Sequence, residues 1–242
     1  MKIDHCMTTS AGSREVNEDK VAFAKKGSSF CFILCDGLGG HGKGDIASSL
    51  AAETIIRKFK ESASLDSFCA DAFETAQSEL LRKQQSMGNS VKMKTTAVVL
   101  AIEGNRCVTM HIGDSRLYRF RDGRLVSRTL DHSVPQMLVM AGEIEESEIR
   151  SHPDRNKLLK AMGDNPESFR CEKAEFDLKE GDAFLLCSDG FWEPITEFDM
   201  VSFLAVNKRA KGWLKDMKSL AEKNGQGTQM DNYSAIAVMA KG

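Results

Sequence analysis

The sequence predicts an α+β domain in which strands pair antiparallel and helices occur in separate blocks. In the middle of the chain, strand-like segments are joined by only a few residues, too few for the crossover that parallel strands require. Two long amphipathic segments, at 45–61 and 65–86, follow each other with no strand between them. With 242 residues the chain can bury a full core, and we expect residues 1–242 to form one domain.

The individual elements follow from local patterns of apolar residues. Short apolar runs predict strands at 20–24 and 30–35, before the two helices. The first helix has one apolar face, formed by Ile46, Leu50, Ala51, Ile55 and Phe59. A meander follows, in which Asp122-Gly123 is a strong hairpin signal. Its predicted strands are 95–102, 107–112, 117–120 and 125–130.

The remaining residues return the chain to the sheet. Residues 134–165 are predicted to be a polar, irregular and partly helical insertion. Strands at 173–178 and 182–187 come next, and the last strand is expected at 233–239. Two helices, at 197–206 and 211–223, precede that last strand.

The composition excludes several classes of protein. Lys and Arg number 33 and Asp and Glu 35, so the net charge of −2 offers no basic excess for nucleic acid. The N-terminus shows no signal-peptide pattern, and no apolar run approaches the ~20 residues of a membrane span. We therefore expect a monomeric, cytoplasmic protein with neither nucleic-acid nor membrane partners.

The seven cysteines are predicted to be free thiols in a reducing compartment. Most lie inside apolar strands, and none forms a C-x2-C pair, which argues against zinc sites and disulfides. No cysteine is followed six residues later by arginine, so the loop of cysteine-dependent phosphatases is absent. The G-x-S-x-G motif of serine nucleophiles is absent as well.

The segment 30–42 is the most informative part of the chain. An apolar strand ends in Asp36, and a glycine-dense turn follows at once. A buried strand has no structural use for a carboxylate at its tip, so Asp36 is expected to contact something charged. The same pattern returns at 184–190, where Asp189 ends a second apolar strand. Two such strands predict a shared site for a hard cation, because these ions prefer oxygen ligands.

The glycine turn allows three interpretations. Residues 37–42 match G-x-G-x-x-G between a strand and a helix, as in dinucleotide-binding proteins, but a second helix follows where a strand ending in an acidic residue is required. Residues 37–43 also match the start of a P-loop, but Gly44 replaces the necessary Ser or Thr. In the third interpretation, the turn exposes the Gly37 carbonyl beside Asp36, as an oxygen-lined cation site needs.

Carboxylates also lie at other predicted strand ends. Any one such aspartate is usually a turn former or a helix cap. Together, however, they make the sequence resemble the metal-dependent protein phosphatases of the type 2C family across nearly the full chain. The absence of extensions resembles the compact bacterial branch of that family. The matching segments are Arg14-Glu15-Val16-Asn17-Glu18-Asp19, Asp36-Gly37-Leu38-Gly39-Gly40-His41, Thr95-Thr96, Gly113-Asp114-Ser115-Arg116, Asp131-His132-Ser133, Ser188-Asp189-Gly190 and Asp231-Asn232.

This resemblance implies a four-layer α-β-β-α fold, a central sandwich of two antiparallel sheets with helices on both outer faces. It also implies two Mn²⁺ or Mg²⁺ ions at one end of the sandwich. Asp36 would bridge both ions, and the Gly37 carbonyl would complete the coordination of one of them. Asp189 and Asp231 would bind the other ion.

The resemblance assigns further roles around these ions. Glu18 and Asp19 would act through metal-bound water. Asp114 would share with Asp189 a third, weaker ion found in bacterial members. Arg14 would hold the substrate phosphate in a bidentate fork that lysine cannot copy. The expected catalytic residues are therefore Arg14, Asp36 and Asp189.

The implied function is hydrolysis of phosphoserine and phosphothreonine on proteins by a hydroxide between the two ions. Such a reaction needs no covalent intermediate, in line with the missing Cys and Ser motifs. The partners would be phosphoprotein substrates of a serine/threonine kinase. Because aspartate has an ordinary pKa near 3.9, we expect the ligands to be anionic at pH 7. The alternative is a metal-bound interaction domain without catalysis.

Some positions have no settled role. Leu38 stands where eukaryotic relatives carry a histidine proposed as general acid, and it cannot donate a proton. His41 is expected to brace the glycine turn, His132 to hold a loop, and Phe191-Trp192 to pack in the core. Residues 134–165 match the flap of the family, beside the metal site, where they would be a surface insertion or shape the choice of substrate.

Overall fold

The computed structural model describes residues 1–39, 43–88, 91–165 and 169–242. Its strands are β1 (Lys2–Ser10), β2 (Asp19–Lys26), β3 (Ser29–Leu38), β4 (Lys94–Thr95), β5 (Ala97–Glu103), β6 (Arg106–Ile112), β7 (Arg116–Arg121), β8 (Arg124–Arg128), β9 (Glu172–Asp177), β10 (Ala183–Cys187) and β11 (Tyr233–Lys241). Its helices are α1 (Gly44–Glu61), α2 (Leu65–Met87), α3 (Val134–Ala141), α4 (Asp189–Trp192), α5 (Glu197–Val206) and α6 (Ala210–Asn224), with a 3-10 helix at Glu146–Ser151.

Two sheets face each other, and the described strands within each pair antiparallel. One sheet has the order β1-β11-β10-β7-β8, and the other β2-β3-β5-β6-β9 with β4 paired to β3. Fully buried side chains fill the space between them, including Phe32, Leu34, Leu100, Phe184 and Val238. Burying a side chain of this size contributes about 1.5–3 kcal/mol, so this layer is a major source of stability.

Helices cover both outer faces of the sandwich. Helices α1 and α2 pack on the β2-β3-β5 side, with Ile55 and Phe73 buried beneath them. Helix α6 packs on β1 and β11 through Trp213 and Met217. The predicted α-β-β-α order is confirmed, and the antiparallel pairing excludes a parallel dinucleotide-binding sheet.

Strand β1 was not predicted from the sequence, and Thr95 of β4 was predicted as the start of a single strand at 95–102. Every residue of β1 is exposed or half-buried, so the strand lacks the apolar alternation that marks a strand in a sequence. It forms because its backbone pairs with β11 over nine residues, from Lys2 opposite Lys241 to Ser10 opposite Tyr233. Strand β4 has only two residues and extends the pairing of β3.

Residues 134–165 leave the sheet after β8 and contain less helix than expected. Helix α3 begins at the cap Ser133, whose hydroxyl accepts a hydrogen bond from the Gln136 N–H (3.4 Å), and ends at Gly142 in the left-handed conformation. After the 3-10 helix, the segment returns to the sheet, where Met162 bridges to Thr95. None of the helices in the described ranges has the length and apolar character needed to cross a bilayer.

The topology brings the chemically interesting strand ends together. Strand β2 begins at Asp19, which lies opposite Asp36 near the end of β3. On the other sheet, β10 ends just before Asp189, and β11 begins just after Asp231. The turn that carries Asp114 joins β6 to β7 at this same end, because Arg116 pairs with Cys187.

Candidate metal centre

A cleft of about 770 Å³ opens at this end of the sandwich. Its lining includes seven of the eight residues proposed from the sequence: Arg14, Glu18, Asp36, Gly37, Asp114, Asp189 and Asp231. The eighth, Asp19, is buried next to Asp36 across the β2–β3 pair. Leu38 lines the cleft as well. His41, with Gly40 and Gly42, lies outside the described residues.

Two threonines fix the strand end that carries Asp36. The Asp36 N–H donates to Thr96 Oγ1 (3.0 Å), and the Asp36 carbonyl accepts from Thr95 Oγ1 and from the Thr96 N–H (both 2.8 Å). The backbone of Asp36 is therefore fully bonded, and its side chain is held at the cleft. The role of the Thr95-Thr96 pair at this site is therefore to hold the backbone of Asp36 in place.

Gly37 follows at a point where the chain passes very close to other backbone. A side chain there would collide with the carbonyl oxygens of Gly44 and Glu18. The Gly37 N–H donates to the Glu18 carbonyl (3.1 Å), and Glu18 Oε1 accepts from the Gly44 N–H (3.2 Å). Gly37 and Gly44 thus allow close packing around Glu18, where a side chain would not fit.

Asp19 has one carboxylate oxygen with a partner and one without. Ser188 Oγ donates to Asp19 Oδ2 (2.8 Å), while Oδ1 is buried and has no hydrogen-bond partner among the described residues. Burial, with the charges of Asp189 and Asp231, raises the pKa of Asp19 to about 7. A buried acceptor without a partner is costly, and a cation or its water would satisfy it.

The neighbouring carboxylates share this electrostatic situation. Burial, followed by the charges of nearby aspartates, raises the pKa values of Asp36 and Asp114 well above their ordinary range and that of Asp189 in the same direction. In the cluster by itself, burial and mutual repulsion therefore oppose ionisation of these three carboxylates. Divalent cations would reverse this, and an all-oxygen donor set suits Mn²⁺ or Mg²⁺.

Arg14 lies at the rim of the cleft in a bidentate pair with Asp231. Its Nε is 2.9 Å from Oδ1 and its Nη2 is 2.7 Å from Oδ2. The hydrogen bonds and charge of Asp231 raise the pKa of Arg14 further. The side chains remain 57% and 43% exposed, so the guanidinium is accessible from solvent. The sequence indicated both residues but not that they pair.

Each residue of the turn from Gly113 to Ser115 has a partner. The Gly113 N–H donates to His132 Nδ1 (3.1 Å), the carbonyl of Asp114 accepts from Trp192 Nε1 (3.1 Å), and Ser115 Oγ is 2.6 Å from Thr96 Oγ1. His132 thus holds this turn, and Trp192 is buried, as expected from the sequence. The turn directs Asp114 into the cleft, close enough that the charge of Asp189 raises the pKa of Asp114.

The supporting roles of Ser188 and Asn232 were not predicted from the sequence. Asn232 Oδ1 accepts from the Glu18 N–H (2.8 Å), and its amide nitrogen donates to the carbonyls of Ala11 and Val16 (both 3.0 Å). It therefore shapes the segment that carries Glu18. Ser188 has a similar role for Asp19. Both residues lie in segments that match the family, each next to a cluster aspartate, but the sequence assigned neither of them a role.

Comparison with known proteins identifies relatives of this chain. The model of the Protein phosphatase 2C family matches residues 8–233. The chain is 32% identical over 200 residues to the serine/threonine protein phosphatase PstP of Mycobacterium tuberculosis, covering 82% of this chain and 38% of that protein. It is 32% identical over 236 residues to a putative protein phosphatase 2C-type of Streptococcus pyogenes, covering 93% and 92%.

A solved structure extends the comparison to three dimensions. The catalytic domain of PstP in complex with two manganese ions superimposes with a TM-score of 0.83 at 26% identity, covering 99% of each chain. The chain therefore matches the whole of that catalytic domain, but spans only 38% of the full-length PstP sequence.

Proposed function

The chain belongs to the protein phosphatase 2C family, and from this premise we propose that it hydrolyses phosphoserine and phosphothreonine on proteins with Mn²⁺ or Mg²⁺. One observation carries the proposal: buried carboxylates that raise one another's pKa values surround a cleft with an accessible arginine at its rim. Such a cluster favours bound cations and, beside them, a phosphate. The manganese ions in the PstP catalytic domain are in keeping with this.

The proposed ligand assignment is the one that the family resemblance implies. Asp36 would contact two ions, with the Gly37 carbonyl on one and Asp189 and Asp231 on the other. Glu18 and Asp19 would bind water at the ions, and the free Oδ1 of Asp19 suits this role. When bound, two divalent cations lower the pKa of a water between them and offset the charge on phosphoryl oxygens.

The protein's own residues would orient the substrate. Arg14 presents two N–H groups in a fixed fork, now directed at the two oxygens of Asp231, and the same fork matches two phosphoryl oxygens. The leaving serine or threonine oxygen must gain a proton. Leu38 lines the cleft and has none to give, so we assign this proton to water.

The cellular setting is part of the proposal. We place residues 1–242 as one catalytic domain, monomeric and cytoplasmic, with residues 134–165 as its flap. Seven free cysteines, of which four are buried, support a reducing compartment. The substrates would be phosphorylated by a serine/threonine kinase in a signalling circuit, an assignment that rests on family analogy.

Hydrolysis of para-nitrophenyl phosphate and of phosphoserine and phosphothreonine peptides, with and without Mn²⁺, tests the function. Activity should disappear after verified metal removal and return when Mn²⁺ is added. Asp122→Asn, in the β7–β8 hairpin, serves as a control for Asp36→Asn. Stoichiometric Mn²⁺ binding by calorimetry without any hydrolysis would favour the non-catalytic interaction domain.

A further inference from the structure

Two histidines and a glutamate form a stack behind the Asp114 turn. The rings of His111 and His132 are nearly parallel (9°), with centroids 4.9 Å apart. Glu172 lies opposite His111 in the β6–β9 pairing, and its Oε1 is 2.9 Å from His132 Nε2. Both histidines are buried, whereas the Glu172 side chain is 52% exposed. The stack therefore connects the surface of β9 to the interior.

The hydrogen bonds give this stack a direction. His132 Nδ1 accepts from the Gly113 N–H (3.1 Å), so in a neutral ring the proton is on Nε2, where it is donated to Glu172. The backbone N–H of His132 donates in turn to the Gly113 carbonyl (2.9 Å). His132 thus bonds both polar backbone groups of Gly113, and Glu172 selects the tautomer that makes this possible.

The same three residue types also occur in transition-metal sites. Their ligand atoms lie within 4.8 Å of one another. However, a metal on His132 Nε2 would displace its proton, while the Gly113 N–H still occupies Nδ1. The ring would then have to be anionic, whereas a metal-bound imidazole normally donates its other N–H. The geometry therefore indicates a chain of hydrogen bonds from Glu172 through His132 to Gly113, and not a metal site.

We propose that Glu172 and His132 are positioning residues that hold the Gly113 turn so that Asp114 faces Asp189. Gly113 has a φ of +102°, and a side chain on it would crowd Thr96, so the turn has little freedom once its peptide groups are bonded. This inference rests on the proposed function, since it concerns the weaker ion that Asp114 and Asp189 would share. The inference goes beyond the proposed function because it makes binding of that ion depend on Glu172, a half-exposed residue of β9.

The test compares Glu172→Ala with Glu175→Ala. Glu175 is on the same strand but pairs with Arg106. The Glu175→Ala variant therefore removes the same charge from β9 and leaves the hydrogen bonds of His132 intact. Phosphopeptide hydrolysis is measured against Mn²⁺ concentration, and the two tight sites are titrated by calorimetry. In Glu172→Ala the half-saturating concentration of the weak phase should rise about tenfold, as is typical when support for a ligand is lost. The tight sites and Glu175→Ala should be unchanged.

Two further variants separate positioning from general stability. In Glu172→Gln the amide oxygen still accepts the Nε2–H, so its Mn²⁺ dependence should be close to wild type. Adding Glu172→Ala to Asp114→Ala should cause no further loss, because the first acts only through the second. If Glu172→Ala does not fold, Glu172→Lys replaces it, since an ammonium donates to Nε2 and forces the opposite tautomer. It should shift the weak phase in the same direction.

The outcomes are distinct. Unchanged Mn²⁺ dependence in folded Glu172→Ala or Glu172→Lys, or additive losses with Asp114→Ala, would overturn the proposal. So would a Zn²⁺ titration in which the Glu172→Ala/Asp114→Ala double variant binds one ion fewer than Asp114→Ala, because the stack would then be a metal site. Wild-type protein without Mn²⁺-dependent hydrolysis would instead count against the proposed function.

Discussion

Asp19 and Asp36 lie directly opposite each other in the antiparallel pairing of β2 with β3. Like charges in facing positions destabilise a sheet, and here Asp19 is buried and Asp36 half-buried. When both carboxylates are ionised, the arrangement opposes folding, and a cation between them would offset their repulsion. The fold and the proposed metal centre are therefore coupled energetically.

Metal binding should accordingly stabilise the protein. The thermal midpoint should rise when Mn²⁺ is added to chelator-treated protein, because the ions bind the folded cluster but not the unfolded chain. At 100 times the dissociation constant, one site contributes about 2.7 kcal/mol. Calorimetric melts in EDTA and in Mn²⁺ measure the shift. Identical midpoints in the two conditions would show that these carboxylates do not bind the metal.

The strand-end carboxylates could be found from the sequence because each follows or precedes a clear apolar run. Their geometry could not. The register that places Asp19 opposite Asp36 depends on pairing across β2 and β3, and no local pattern encodes it. The free oxygen of Asp19 appears only once Ser188 is seen to occupy the other.

The fold shows the same limit. Strands and helices with strong apolar periodicity were predicted within a few residues. Strand β1 was missed because it pairs with β11 through backbone hydrogen bonds, while none of its residues is fully buried. Likewise, the fork between Arg14 and Asp231 joins residues 217 positions apart, a contact that only the closed sandwich creates.

Asp36→Asn should separate stability from activity. Turnover should fall to less than about a tenth, equivalent to ~1.4 kcal/mol of barrier, because the proposed bridging charge is lost. The metal-free protein should become more stable, because burial and four neighbouring aspartates raise the pKa of Asp36 well above its ordinary range. Steady-state rates and melts in EDTA test both effects. A variant that keeps full activity excludes Asp36 as the bridge.

The metal-free protein should lose stability as pH rises through the weakly acidic range. Asp19 has a pKa of about 7 in the folded protein against an ordinary 3.8, so the folded state keeps its proton longer than the unfolded state. The stabilisation is complete below pH 3.8 and is lost by about pH 7. The substituted side chain of Asp19→Asn cannot titrate in this range. In urea unfolding with EDTA, the free energy of unfolding of Asp19→Asn should therefore increase relative to that of wild type as the pH rises across this window. A constant difference between the two would contradict the raised pKa.

Arg14→Ala should weaken substrate engagement rather than the fold. Loss of a charge-assisted hydrogen bond costs about 1.5–3 kcal/mol, or roughly 10- to 100-fold in kcat/KM. Its pair with Asp231 is half-exposed, and such pairs contribute little to stability, so the melting midpoint should barely change. Arg14→Lys should not restore the rate, because an ammonium lacks the fork. Loss of tight Mn²⁺ binding in Arg14→Ala would instead assign Arg14 to support of Asp231.

Asp114→Ala distinguishes a turn residue from a metal ligand. The turn is held through the backbone of Asp114, which bonds Trp192, and through its neighbours Gly113 and Ser115, so the side chain is not needed for the fold. Burial and the charge of Asp189 raise the pKa of Asp114, so removing this carboxylate should leave metal-free stability equal or higher. Hydrolysis of a phosphopeptide should fall sharply, and fewer Mn²⁺ ions should bind at millimolar metal, while the two tight sites remain. Asp122→Ala, in another tight turn, is the matched control and should keep full activity. Normal activity with reduced stability in Asp114→Ala would make Asp114 a turn residue and eliminate the third ion.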